Sequence, residues 1–242
     1  MNEESIAWKL AQVAMKAGQP NDAILYIKQS LKTKTDLTKE EIDFFAHTYK
    51  KAINSPRNAL VAIDNQLQLQ SPDVLKAIEE HRAVLIEEIT NICQDILNII
   101  DSTLIPTTTN GKCIIYLNKL KGDYYRYLAE YASSKEIQEG HASRAKTCYE
   151  AALLSVNDEM VVSDPLNLGL ILNYAVFQYE ILNLHDDAID KLDTAFNEAI
   201  RFLEELPEDQ YNEAAIMLQL MRDNLALWKE QRAEEIKYET SK

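Results

Sequence analysis

Apolar residues recur at helical spacing along almost the whole chain, and no stretch shows the sustained apolar–polar alternation of a strand. Several of these runs follow helix start signals. Thr38 and Glu41 have the spacing of a capping box, in which a hydroxyl and a carboxylate each accept from a backbone N–H. Ser133 and Glu136 repeat that spacing, and Asp164 precedes a proline at the first helical position. The pattern predicts an all-α protein.

The runs and their start signals divide the chain into about nine long helices, with short connections that favour antiparallel packing of neighbours. We expect the helices near residues 3–17, 21–33, 39–69, 73–104, 113–132, 136–159, 166–182, 187–204 and 209–232. The fourth helix carries a packing seam with steps of four and three: Leu85, Ile89, Ile92, Ile96 and Ile99. The turn at 107–112 is the clearest break and separates an N-terminal from a C-terminal set of helices.

Composition narrows the classes of function. Only 5 Gly and 6 Pro occur among 242 residues, which fits long helices with few turns. The 25 Lys and Arg stand against 39 Asp and Glu, a formal net charge of −14. A chain this acidic is repelled by polyphosphate, so we expect no nucleic-acid partner. Any anion-binding site must therefore be a local basic island.

Three widely spaced cysteines, Cys93, Cys113 and Cys148, form neither a disulfide framework nor a metal knuckle, and their apolar neighbours predict buried thiols. The acidic N-terminus does not resemble a signal peptide. No apolar run reaches the roughly 18 residues of a membrane span, so no membrane insertion is expected. These features favour a cytoplasmic or nuclear protein without metal or cofactor.

Catalytic motifs are absent from the linear sequence. It contains no HExxH, no GxSxG and no glycine-rich phosphate loop, although distant residues can converge, so an all-α enzyme stays the third candidate. Segments 144–155 and 187–200 are each typical of the second helix of a tetratricopeptide unit, but their separation departs from its period of about 34 residues. A helical-repeat scaffold that binds unphosphorylated peptides is the alternative function.

One predicted helix carries a polar stripe. Four of its charged residues fall within a narrow arc: Lys119, Asp123, Arg126 and Glu130. Tyr127 flanks them. The stripe is either an exposed face with ion pairs between successive turns, or an anion site that places a guanidinium beside a phenol and a carboxylate.

Two predicted helices carry an asparagine amide among apolar residues. Asn173 and Glu180 share one face of 167–183, a helix that is apolar nearly all round and should be central. Asn224 lies in the apolar stripe of 217–228. Each amide alone fits a satisfied core residue. Together with the basic stripe, they indicate a groove that holds an extended peptide backbone.

These same segments closely resemble the 14-3-3 family: KGDYYRYLAEY (121–131), NLGLILNYAVFQYEILN (167–183), DTAFNEAI (193–200) and MLQLMRDNLALW (217–228). NICQDIL (91–97) and LIP (104–106) are similar to its fourth helix and the turn that follows. The likeness is strong over 113–228, and residues 1–70 match poorly. It implies nine antiparallel helices with a concave amphipathic groove, usually in a dimer. It further implies a non-catalytic adaptor that binds phosphoserine or phosphothreonine motifs of client proteins in signalling.

The resemblance also implies the site residues. The phosphate would be held by Lys50, Arg57, Arg126 and Tyr127. The peptide groove would be lined by Lys119, Leu172, Asn173, Val176, Glu180, Ile216, Leu220, Asn224 and Leu227. This set suits its ligand, because two arginines and a lysine satisfy a phosphate dianion through charge-assisted hydrogen bonds.

Several positions depart from the family pattern. Pro56 lies where the family has an uninterrupted helix, and an interior proline loses a backbone bond and costs about 3 kcal/mol or bends the helix. The orientation of Arg57 is therefore the weakest expectation of the set. Val61 replaces a further arginine. Gln19 and Val84 replace two residues that make ion pairs between subunits in the family.

The resemblance implies one 14-3-3-like domain over 1–232 and a C-terminal tail over 233–242. Within the domain, 1–104 would provide the dimer contacts and groove floor, and 113–232 the groove wall. The partners would be phosphorylated clients and a second copy or a paralogue, as a homodimer or heterodimer. The final helix has no stop signal at its predicted end, so it can extend toward Thr240 and Ser241, whose phosphorylation would create a ligand for a groove.

Overall fold

A computed structural model describes residues 3–34, 36–65, 71–156 and 160–240, and over these residues the protein is helical, without strands. We number the helices α1 (Glu3–Lys16), α2 (Pro20–Ser30), α3 (Lys39–Asp64), α4 (Pro72–Ile99), α5 (Gly111–Glu130), α6 (Lys135–Ser155), α7 (Pro165–Glu180), α8 (His185–Ala199) and α9 (Glu208–Thr240). The all-α prediction is confirmed. The helix ends predicted at 69 and 159, and Ser241, lie outside the described residues.

The chain forms two compact units, Met1–Ala132 and Ser133–Lys242. α5 therefore belongs with the N-terminal helices, and the division lies one helix later than the turn at 107–112. In the first unit α1 packs on α2, α2 on α3, α3 on α4, and α4 on α5. In the second unit α6 packs on α7, while α7, α8 and α9 pack on one another.

Two of the predicted helix caps form as the sequence indicates, and a third does not. Thr38 and Glu41 form the predicted capping box at the start of α3. Asp164 caps α7, and its Oδ1 accepts from the N–H of Leu166 at 2.9 Å. The capping box predicted at Ser133 is wrong. Ser134 has the extended backbone of an N-cap and its hydroxyl accepts from the N–H of Ile137, so the cap lies one residue later than predicted.

The first unit closes around the predicted seam of α4. Leu85, Ile89, Ile96 and Ile99 are buried, and Ile92 is partly buried against the same core. A partly buried polar contact supports the apolar packing: the hydroxyl of Tyr49 donates to Asp95 Oδ2 at 2.6 Å, and Lys28 pairs with the same carboxylate. Burial, together with Asp95, raises the pKa of Tyr49, so this phenol stays a proton donor. The contact joins α2, α3 and α4.

Two prolines lie within helical segments. α3 continues through Pro56, which is buried, so the helix tolerates the missing backbone donor at this position. After α4 the chain winds as a π segment, Ile100–Leu104, and a single α turn that contains Pro106. The hydroxyl of Thr107 donates to the carbonyl of Thr103 at 2.8 Å in that turn. The helical path therefore runs three residues beyond its predicted end at 104.

The second unit packs around α7. Its core contains Leu168, Leu192 and Met221, and Trp228 stacks on Tyr179 with ring centroids 4.4 Å apart and planes within 7°. The short loop from α7 to α8 includes Asn183 at φ 54°, a left-handed conformation that asparagine tolerates better than most residues. The stacked pair fixes α9 on α7.

α9 runs to Thr240, past the predicted end at 232, because nothing in its sequence stops it. Side chains beyond Trp228 fasten this extension to the rest of the unit. Arg232 makes a two-pronged contact with Asp186 of α8 at 2.8 and 3.0 Å, and Lys229 pairs with Asp193 at 2.6 Å. Most surface ion pairs contribute little to stability, but a bidentate contact within a network is an exception. Residues 233–240 are thus helical, as the lack of a stop signal in the sequence predicted.

Candidate functional site

The first unit brings three of the predicted phosphate-binding residues together. Arg126 and Tyr127 are neighbours on α5, and Arg57 reaches them from α3. The guanidinium carbon of Arg57 lies 4.2 Å from the ring centroid of Tyr127, and that of Arg126 lies 4.6 Å from the same centroid. Arg126 is only 7% exposed. Two cations against one phenol ring form a local basic island in an acidic chain.

Arg57 is held in place by groups from α5 and the residue that follows it. Its Nη2 donates to Glu130 at 3.1 and 3.4 Å, and the phenol of Tyr131 lies beside its guanidinium. Burial opposes the charge of Arg57, but Glu130, Tyr127 and Tyr131 more than offset it, so the pKa of the guanidinium is raised. Its Nε is buried and has no hydrogen-bond partner among the described residues. Pro56 has therefore not turned Arg57 away from the cluster.

The two lysines of the predicted site differ in their surroundings. Lys119 pairs with Asp123, one turn further along α5, at 2.9 Å, and both side chains are largely buried. This is one of the ion pairs between successive turns that the stripe predicted. Lys50 is exposed on α3 and makes no ion pair within the part of the chain that the structure describes. Lys50 thus presents an ammonium group that no neighbouring carboxylate neutralises.

The cluster rests on a buried floor. Tyr124 meets Tyr127 edge to face at 5.6 Å and is itself buried. Cys93 of α4 is buried nearby, and burial raises the pKa of its thiol, against the opposing effect of the Arg57 charge. The three cysteines are buried and none is in a disulfide, as the sequence predicts. A buried thiol and a buried aromatic ring therefore lie next to the cluster.

The second unit carries the remaining predicted groove residues, on α7 and α9. On α7, Leu172 is buried in the core, Asn173 and Val176 are partly buried, and Glu180 is exposed. Three predicted apolar residues of α9 are exposed large side chains: Ile216, Leu220 and Leu227. The Nδ2 of Asn224 donates to the carbonyl of Leu220 at 2.8 Å. An apolar stripe with one amide therefore faces outward on α9.

Sequence reasoning missed two features of this site. It includes Glu130 in the polar arc but does not identify its partner Arg57, which lies 73 residues away, because spacing along a helix cannot reveal such a pair. Tyr131 follows the last residue of α5, and nothing in its local sequence marked it. Among the described residues, no group of His, Cys, Asp or Glu is arranged to hold a metal ion. No described helix combines the length and apolar character needed to cross a bilayer.

Fold and site define an all-helical protein with a prearranged cationic cluster. The family model of the 14-3-3 protein matches residues 10–229. The chain is 38% identical over 224 residues to 14-3-3-like protein B of Nicotiana tabacum, covering 91% of this chain and 88% of that protein. It is 36% identical over 223 residues to 14-3-3-like protein C of Glycine max, covering 90% and 86%. For 14-3-3 protein 2 of Solanum lycopersicum the identity is 39% over 197 residues, covering 80% and 77%. The chain belongs to the 14-3-3 family.

Membership supports a general role as a phosphopeptide-binding adaptor that engages client proteins and forms dimers, and that is not an enzyme. The family match begins at residue 10. The chain from residue 10 onward, including the N-terminal part where the quoted motifs match poorly, therefore belongs to the same family.

Proposed function

We propose that this protein binds phosphoserine or phosphothreonine motifs of client proteins in an amphipathic groove and thereby regulates them in signalling. The observation that carries the proposal is the placement of two guanidinium groups within 4.2 and 4.6 Å of one tyrosine ring. Arg57, Arg126 and Tyr127, with the exposed Lys50, would hold the phosphate. Two forked donors and an ammonium match the charge and oxygens of a dianion.

The peptide backbone is the second part of the ligand. Asn224 uses one amide hydrogen on its own helix, which leaves its carbonyl oxygen able to accept from a peptide N–H. Asn173, Glu180 and Lys119 would provide further polar contacts. The apolar residues Leu172, Val176, Ile216, Leu220 and Leu227 would form the wall of the groove. Contacts to the backbone of the peptide do not depend on the identity of its side chains, which suits an adaptor with many clients.

One titration tests this function against the helical-repeat alternative. A fluorescent peptide with a single serine is prepared with and without a phosphate on that serine. Each form of the peptide is titrated with the protein. Loss of a charge contact to a dianion costs about 2–5 kcal/mol, so the phosphorylated form should bind at least about thirtyfold more tightly. A repeat scaffold would bind both forms equally, and that result would reject the proposed function.

We further propose that residues 1–104 carry the dimer contacts and that the protein forms a homodimer, or a heterodimer with a paralogue. Ile6, Leu10 and Val13 share one face of α1 and are exposed, as is Val84 on α4. Gln19 and Val84 replace charged residues of the family pattern. Apolar contacts should therefore dominate the dimer interface.

Three buried thiols, none in a disulfide, suit a reducing cytoplasmic or nuclear compartment.

Dimer affinity should depend little on salt. Exposed ion pairs contribute only about 0–1 kcal/mol each, and apolar burial is not screened by ions, so losing such pairs need not prevent association. Sedimentation equilibrium at low and at high ionic strength should give dissociation constants within about threefold of each other. A steep loss of affinity with added salt, or a monomer at micromolar concentration, would contradict the prediction.

A further inference from the structure

The guanidinium of Arg57 is in contact with an anionic side chain of the protein itself. Glu130 accepts from Nη2 of Arg57 through both carboxylate oxygens, at 3.1 and 3.4 Å. This carboxylate lies at the end of α5, and its side chain is 32% exposed. The other carboxylate of the stripe, Asp123, pairs with Lys119 and is buried. Glu130 is thus the carboxylate that can leave its partner for water.

The carboxylate of Glu130 compensates two positive charges that lie close together. The guanidinium groups of Arg57 and Arg126 both lie against the ring of Tyr127, and like charges brought this close into a partly buried site repel each other. A nearby negative charge offsets that repulsion. A bound phosphate would supply the same compensation with greater charge, and the charge of Glu130 would then oppose the phosphate.

Other contacts keep Arg57 in position when Glu130 leaves. Its guanidinium is stacked on the ring of Tyr127 and lies beside the phenol of Tyr131. Release of Glu130 therefore exposes a donor that is already aimed, rather than a side chain that must be ordered first.

We propose that Glu130 is a built-in competing anion: it pairs with Arg57 and gives up this contact when a phosphate binds. The inference rests on the proposed function, since it assumes that the phosphate binds at Arg57 and Arg126. Its consequence is that the affinity for phosphopeptides is lower than the arginines alone would give. Release is correspondingly faster, because the tethered carboxylate can return to Arg57.

The decisive variant is Glu130→Gln, which has the same shape and keeps an oxygen acceptor for Arg57 but carries no charge. Phosphopeptide affinity should rise about three- to tenfold, the range for removing a competing charge from a partly exposed pair. The gain should appear mainly as slower dissociation in stopped-flow experiments. Glu136→Gln, the same change at an exposed position of α6, should alter affinity less than twofold.

A double-mutant cycle shows whether the gain acts through Arg57. In an Arg57→Ala background, Glu130→Gln should lose most of its effect, because the guanidinium for which Glu130 and the phosphate compete is gone. Unchanged or weaker binding by a folded Glu130→Gln protein would overturn the inference, as would an undiminished gain without Arg57. If Glu130→Gln lowers the melting temperature, Glu130→Ala is put through the same cycle. Failure of the wild-type protein to prefer the phosphorylated peptide would reject the proposed function instead.

Discussion

Replacing Arg126 by alanine should eliminate measurable phosphopeptide binding while the helices stay folded. Arg126 is 7% exposed and its guanidinium lies 4.6 Å from the ring centroid of Tyr127, so its charge is fixed in position before a ligand arrives. Removing a prearranged charge contact to a dianion costs about 2–5 kcal/mol, or about thirtyfold to several thousandfold in affinity. Fluorescence titration measures the loss, and circular dichroism checks the fold.

Two further variants make the Arg126 result interpretable. Arg144→Ala makes the same change at an exposed position of α6 and should bind as the wild type does. Arg126→Lys keeps the charge but not the planar fork, so it should recover only part of the affinity. Arg126→Ala binding within threefold of the wild type, with normal circular dichroism, would contradict the proposed phosphate site.

Replacing Trp228 by alanine should lower the free energy of unfolding by about 3–5 kcal/mol, the range for removing a large buried aromatic side chain. Trp228 is 2% exposed and stacks on Tyr179, so its loss leaves a cavity between α9 and α7. Urea unfolding followed by circular dichroism gives this free energy.

The neighbouring residue provides a matched control for Trp228. Leu227 is 51% exposed on the same helix, and Leu227→Ala should cost roughly 1 kcal/mol or less because little packing is lost. Equal destabilisation by the two substitutions would show that the stacked pair does not fix α9.

Local sequence rules predicted most of the fold because helices are set by neighbours three and four residues apart. The capping box at Thr38 and the buried positions of the α4 seam both follow from such spacing. At α6 the capping-box spacing gave the wrong residue because two serines are adjacent. Glu136 favours Ser133 as the cap, but the extended N-cap backbone is at Ser134. At α9, the expectation of a tail placed the helix end at 232, although the sequence itself contains no stop signal.

Spacing along the chain identified the candidate site only where its residues share a helix, and the family resemblance supplied Lys50 and Arg57. Arg126 and Tyr127 are adjacent, so spacing and resemblance found them together. The pairing of Arg57 with Glu130 joins two helices, and no periodicity along one helix reveals it. Pro56 predicted a disturbance of Arg57, but α3 continues through this proline and Arg57 still contacts Glu130 and Tyr127. Tertiary packing overrode the local penalty.

The long final helix makes the protein convenient to label. At about 1.5 Å per residue, α9 extends about 18 Å beyond Trp228, and Arg232 and Lys229 fasten the first part of this length to α8. A fluorophore on a cysteine introduced at the exposed Ala233 would move with the body of its unit. Because the native thiols are buried, a brief reaction with a maleimide should modify the new cysteine first. Depolarisation of its emission would then follow the tumbling of the folded unit rather than the motion of a loose chain end.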